Sequence, residues 1–339
     1  MRSFKALLLG LVVGSLALIH IGHAGEPLKI RQGWVVSTTF SPMIFSDPGI
    51  LRHYGKSYVV EPVHFAGSSP ELTALATGEV DLITIAYATL PIAVENAHIT
   101  DLRIVADGFQ DGVEGYLSQP YLVRNDGSIK TVEDLRGKAI AINQLGGVVD
   151  IAARAMLRRH GLEAGKDYTI VEAPFPVMAP MLLQKKVALV STVPPFLYEP
   201  ALESKAHALF TMKEAMGPSQ LIMLAARASF LKQHRAALDD FFEDLVRGTR
   251  WMETPANRDK AIALAARFAK APPQRIAGYF LTKKDEYRDP NCLPNIAAVQ
   301  RNIDTEREIG LLKSDFDVSK YVDLSFVKRA AKRLDEPSR

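Results

Sequence analysis

The residues whose types and spacing suit chemistry lie in short clusters at the ends of apolar runs. Leu145-Gly146-Gly147-Val148 follows the run Ala139–Ile142 and precedes a helical stretch, Val149–His160. A strand that ends in a glycine pair and opens a helix leaves backbone N–H groups free, and such an end attracts the polar part of a small molecule. Gly146, Gly147 and the neighbouring amide Gln144 are therefore expected to face a ligand. Thr38 and Thr39, Ser68 and Ser69, and Tyr87 offer hydroxyls at three other run ends. Trp34, Tyr87, Phe175 and Phe196 stand at four separate run ends and would supply walls. An apolar and aromatic lining with a few polar groups suits an organic molecule.

No comparable spacing suggests catalysis or metal binding. The eight histidines are scattered, and no pair has metal-ligand spacing with a third partner. No Gly-x-Ser-x-Gly elbow and no glycine-rich phosphate loop is present. Cys292 is the one cysteine and lacks a placed base, so neither an internal disulfide nor a cysteine nucleophile is expected. In an oxidising compartment a lone thiol is best buried. The reading is that the chain is not an enzyme and needs no cofactor. Lys and Arg number 41 against 38 Asp and Glu, which gives no electrostatic case for nucleic acid.

The first two dozen residues read as an export signal. Arg2 and Lys5 form a charged start, Ala6 to Ile21 an apolar run, and Gly22-His23-Ala24 a small-residue cleavage site. Cleavage after Ala24 and release into the periplasm are expected. The remaining length suits two domains of roughly 100–200 residues each.

Beyond the leader, strands and helices alternate. Strand patterns cover Leu28–Val36, Tyr58–Phe65, Val80–Ala86 and Leu102–Ala106. Helix patterns cover Ser41–Tyr54, a stretch opened by Ser69 as N-cap with Pro70 at its first position, and Leu90–Ala97. A second unit has strands at Tyr121–Arg124, Ala139–Ile142, Thr169–Glu172, Val187–Ser191 and Ala208–Thr211. Its helices are expected at Val149–His160, Val177–Gln184 and Phe196–Glu203. Leu221–Ala226 is a strand expected to cross back into the first unit. Ala237, Leu238, Phe241, Phe242, Leu245 and Val246 then give one apolar helix face. This is an α/β chain with parallel sheets in two lobes. Lobe one is expected to hold residues 25–123 and 217–339, and lobe two residues 124–216. Ligands in open α/β sheets bind at the carboxyl ends of strands, so the ligand should lie between the lobes.

Several motifs resemble one family. Ser128 to Lys138 (Ser-Ile-Lys-Thr-Val-Glu-Asp-Leu-Arg-Gly-Lys) resembles the segment leading into the second lobe of type II periplasmic substrate-binding proteins of ABC importers. Ser69 to Asp81, with its Gly-x-x-Asp turn, Arg158 to Leu162 and Val322 to Val327 resemble the family that binds aliphatic sulfonates, taurine, nitrate and thiamine precursors. The resemblance implies two hinge crossings, a small-molecule ligand, an ABC permease in the inner membrane as partner, and a monomer. The sulfonate binders carry serines where this chain has Leu145-Gly146-Gly147-Val148. The second Gly-x-x-Asp turn is replaced by Lys185-Lys186-Val187-Ala188. Both departures favour an organic acid or heterocycle over taurine or nitrate. The rival readings are a ligand-binding partner of a membrane sensor and an exported enzyme on the same fold.

The export reading fixes the mature terminus. N-terminal sequencing of protein recovered from the periplasm should begin at Gly25, and a membrane-bound form retaining residues 1–24 would contradict it.

Overall fold

A computed structural model describes residues 26–35 and 39–336. The leader and Thr38 lie outside these residues. Two five-stranded sheets organise the chain, and they follow the same plan. The first comprises β1 (Leu28–Trp34), β2 (Tyr58–His64), β3 (Leu82–Ala86), β4 (Leu102–Asp111) and β10 (Ser219–Arg227), in the order β2-β1-β3-β10-β4. The second comprises β5 (Pro120–Arg124), β6 (Ala139–Ile142), β7 (Thr169–Glu172), β8 (Leu189–Ser191) and β9 (Ala206–Thr211), in the order β7-β6-β8-β5-β9. In each sheet the first three strands are parallel. The fourth strand is antiparallel to both its neighbours. That strand is always the one the chain makes immediately after crossing between sheets.

The first crossing is Gly112–Gln119 and the second Met212–Pro218. The sequence placed the first boundary at 123/124. It lies earlier because Tyr121–Arg124 pairs with β8 and β9, not with any strand of the first sheet. Other elements also differ from expectation. The helix expected over Ser41–Tyr54 is one turn, Phe40–Ile44, followed by a 3-10 turn at Pro48–Ile50. Pro48 disfavours helical backbone at Asp47, which is extended here. The first-lobe helix is Ser68–Thr77 with Gly67 as N-cap, so Ser69 sits inside its first turn. Phe196–Glu203 is broken into a 3-10 turn, Phe196–Tyr198, and a helix from Pro200, with Glu199 extended before the proline.

The apolar face read from Leu238 to Val246 is buried in the helix Arg235–Glu253. Asp244 on the same helix is fully buried and accepts hydrogen bonds from the Arg52 and His53 N–H groups and the Tyr58 hydroxyl, each at 2.8 Å. These three donors compensate its desolvation. A second apolar cluster runs through both lobes, taking in Tyr87 and Leu221 on one side and Tyr121, Phe210 and Met216 on the other. Cys292 is buried, its thiol 3.3 Å from the Thr249 hydroxyl, and burial raises its pKa well above the usual value.

Glu71 shapes the first sheet. β1 and β3 pair through Gln32 and Leu82 alone. Beyond that point the Glu71 carboxylate takes the Thr84 N–H at 2.6 Å, as a strand carbonyl would. Gly33 makes room for it, since a Cβ there would lie 2.6 Å from the Glu71 carboxylate. Burial pushes the Glu71 carboxyl up to about 8, against the opposing pull of Thr84. Burial likewise lifts Glu306 to about 8, Asp107 and Glu253 to about 7, and Asp111 to about 6. Each of these groups holds a proton more tightly folded than unfolded. Their stabilising protonated forms are fully present below the unfolded carboxyl range and are lost as pH rises through 6 to 8. The melting temperature should therefore fall between pH 5 and pH 9, and Glu71→Gln should flatten part of that slope. A melting temperature that rises over this range would contradict it.

Candidate functional site

The carboxyl ends of the parallel strands in the two sheets face one another. The connection after β2 meets the connection after β6: the Gln144 amide donates to the Ser69 hydroxyl at 3.1 Å. Gly67 lies against the same side chain. Ser68 is half-buried beside it. These residues bring the two loops singled out in the sequence together across the cleft.

The glycine pair behaves differently from expectation. The Gly146 N–H donates to the Asp150 carboxylate at 2.9 Å, and the Gly147 N–H to the Gln144 carbonyl at 3.1 Å. The Leu145 N–H donates to Glu172 at 2.7 Å. Three consecutive donors are thus taken by the protein itself. Gly146 has φ of 71°, the left-handed region that favours glycine, so its role includes turning the chain. The helix that follows, Val148–Arg159, has no side-chain cap. Asp150 sits in its first turn and pairs with Arg154 at 2.7 Å.

Trp34 closes β1 and packs on its own lobe, its ring 4.3 Å from that of His64 and 4.9 Å from that of Phe268. Phe175 opens the helix Phe175–Leu183 and is half-buried against the cluster that runs through both lobes and a smaller lobe-two cluster. Phe196 is half-buried at the start of its 3-10 turn. Thr39 and Tyr87 are fully buried, and neither hydroxyl has a hydrogen-bond partner among the described residues. Burial first, then the nearby Glu306 and Asp111 charges, push the Tyr87 phenol well above its usual range.

Two residues that sequence reading missed share this state. Asn143 directly follows β6 and Thr192 directly follows β8. The Asn143 Oδ1 and the Thr192 Oγ1 are buried without partners among the described residues. The available signal was position alone: each is the first residue past a strand already recognised. Among the described residues no group of three or more His, Cys, Asp or Glu could hold a metal ion.

On another side of the cleft the lobes are fastened by residues of the C-terminal region. The Tyr198 hydroxyl donates to the Lys284 carbonyl, and its ring stacks on Tyr279 at 5.4 Å. Arg275 pairs with Glu199 at 3.3 Å. The same segment reaches the first crossing, where the Leu117 N–H donates to the Asp285 carbonyl at 3.0 Å. Arg275 is half-exposed, so that ion pair contributes little and the Tyr198 contacts dominate. Tyr198→Phe removes one lobe-to-lobe hydrogen bond, a loss of about 0.5–1.5 kcal/mol. The closed-to-open ratio of ligand-free protein should fall by roughly 2- to 10-fold at that loss. Spin labels placed one on each lobe should report a longer distance component in the variant, and an unchanged distribution would show that this contact does not hold the lobes.

Comparison with known proteins places this architecture. No curated protein sequence matches the chain. The periplasmic aliphatic sulphonate binding protein SsuA from Escherichia coli superposes with a TM-score of 0.65 and 19% identity, over 88% of this chain and 92% of that one. The periplasmic nitrate-binding protein NrtA from Synechocystis PCC 6803 gives 0.71 and 16%, over 92% and 90%. The desulfurization enzyme DSZB gives 0.65 and 12%, over 91% and 99%. These likenesses establish the two-lobed type II periplasmic binding fold. The NMT1-like family model matches residues 23–266, and the chain is a member of that family.

Proposed function

We propose that this protein is the solute-binding component of an ABC importer, working as a monomer in the periplasm. It captures a small organic molecule between its lobes and presents it to a permease in the inner membrane. Of the twelve buried polar side-chain atoms without a hydrogen-bond partner among the described residues, the four on Thr39, Tyr87, Asn143 and Thr192 carry the reading. All four follow parallel strands, two in each lobe. Buried polar groups are costly when left unpaired, so such a set calls for an occupant. Trp34, Phe175 and Phe196 would flank its apolar body, with Gln144, Ser68, Ser69 and the backbone at Gly146 and Gly147 closing over it. Thr38, in the same connection as Thr39, belongs to the proposed contacts by its place in the sequence.

The fold is shared with a desulfurization enzyme, so fold alone does not separate binder from catalyst. The chemistry does favour a binder. Cys292 is buried, bonded to Thr249 and held protonated, which disqualifies it as a nucleophile.

Two measurements test the reading. Mass spectrometry of protein purified from the periplasm should release a small organic molecule in near-stoichiometric amount. Small-angle scattering should show the radius of gyration shrink when that molecule is returned to stripped protein. Conversion of the molecule into a product would favour the enzyme, and absence of any captured solute together with an unchanged radius would remove the binding function.

A further inference from the structure

We infer that the ligand's buried edge is uncharged, and that Asn143 and Thr192 recognise it from the second lobe while Thr39 and Tyr87 do so from the first. This deepens the binding-protein reading and rests on it.

The unpartnered atoms define the chemistry. Thr39 and Thr192 offer hydroxyls, Tyr87 a phenol and Asn143 an amide oxygen. The hydroxyls and the phenol each donate or accept, and the amide oxygen accepts. All four are neutral. A molecule with an alternating donor and acceptor edge, such as a carboxamide or a lactam-type heterocycle, satisfies such a set. A carboxylate or sulfonate, which only accepts, leaves the Asn143 oxygen without a partner.

The charges around the cleft point the same way. The loop that would meet an anion already binds two protein carboxylates, Glu172 on the Leu145 N–H and Asp150 on the Gly146 N–H. Among the described residues Arg154 is the one cation paired with that set, and it is committed to Asp150. An incoming anion would therefore meet a net negative loop. On the lobe-one side Arg288 stacks on Phe40, next to Thr39, at 4.2 Å. Its guanidinium is already enclosed by Asp285 at 3.0 Å and Glu286 at 3.4 Å. What remains open at the start of the helix Val148–Arg159 is uncapped backbone, and a neutral carbonyl or ring nitrogen serves such N–H groups as well.

The test uses acid and neutral partners of matched shape on the full mature protein. Calorimetry with nicotinamide against nicotinate, benzamide against benzoate, and uracil against orotate should show the neutral member at least tenfold tighter wherever either binds. Taurine and nitrate should not bind. Thr192→Val replaces an unpartnered hydroxyl by an isosteric methyl. It should leave the melting temperature of ligand-free protein unchanged or higher, and weaken binding of the neutral probe or of the released ligand at least tenfold. Asn143→Leu should weaken binding by a similar factor. An acid that binds as tightly as its neutral partner, or tight binding of taurine or nitrate, overturns the inference and leaves the binding-protein reading standing. A fall of several degrees in melting temperature for Thr192→Val also overturns it, because the hydroxyl would then already be bonded within the protein. Where no probe binds, the charge of the molecule released from purified protein decides between the two outcomes. If no molecule is released either, the binding-protein reading falls and takes this inference with it.

Discussion

Asp111 holds the two crossings in register, and the relation between the lobes depends on it. Its carboxylate accepts the Ser118 hydroxyl at 2.7 Å and the Gln119 N–H at 2.6 Å, folding the first crossing back on itself. The second crossing is tied to the same two residues. The Lys213 N–H donates to the Ser118 oxygen, and the Met212 N–H to the Gln119 carbonyl, both at 2.8 Å. Gly112, with φ of 67°, lets the crossings touch, since a Cβ there would lie 2.8 Å from Lys213. A single buried carboxylate thus sets the pivot about which any closing motion must turn. Burial lifts its carboxyl to about 6, against the opposing pull of the Gln119 and Ser118 hydrogen bonds.

From that pivot the cleft follows. β5 and β10 leave the crossings as the antiparallel fourth strands of their sheets, which sets the parallel strands of each lobe with their carboxyl ends toward the other. The contacts that close the cleft are of two kinds. Gln144 on Ser69 is a side-chain contact between loops that also belong to the candidate site. Tyr198 on Tyr279 and Lys284 comes from a C-terminal region past the matched family segment, and does not depend on the site. Closure is therefore supported both by residues of the candidate site and by residues outside it.

Strand positions were legible because each is a short β-branched or aliphatic run bounded by glycine or polar turns, as in Leu82–Ala86 and Ala139–Ile142. The burial of Leu238 to Val246 was legible from helical spacing. The first boundary was misplaced because Tyr121–Arg124 is apolar in the same way as a strand of either sheet, and only pairing partners distinguish them. At Gly146 and Gly147 the sequence marks a turn before a helix, but not which acceptors its N–H groups find. Asp150 and Glu172 supply two of them, one from the next helical turn and one from a neighbouring strand. Position after a strand was the one signal for Asn143 and Thr192, and it is weak because a polar residue there is ordinary; their burial without a partner among the described residues is visible only in the structure.

The strand exchange has a consequence for how the chain is made. The second sheet is complete within one continuous stretch, from Pro120 to Thr211. The first is not: β4 and β3 await β10, which emerges only after the whole second lobe. As the chain emerges from its amino end, the second lobe can form as a unit while the first still exposes unpaired strand edges. Such long-range pairing is slow and leaves sticky edges in the interval. The first lobe to be synthesised is therefore the last to be finished, and a chain cut short before Ser219 would lose both lobes' relation and the core of its own amino-terminal half.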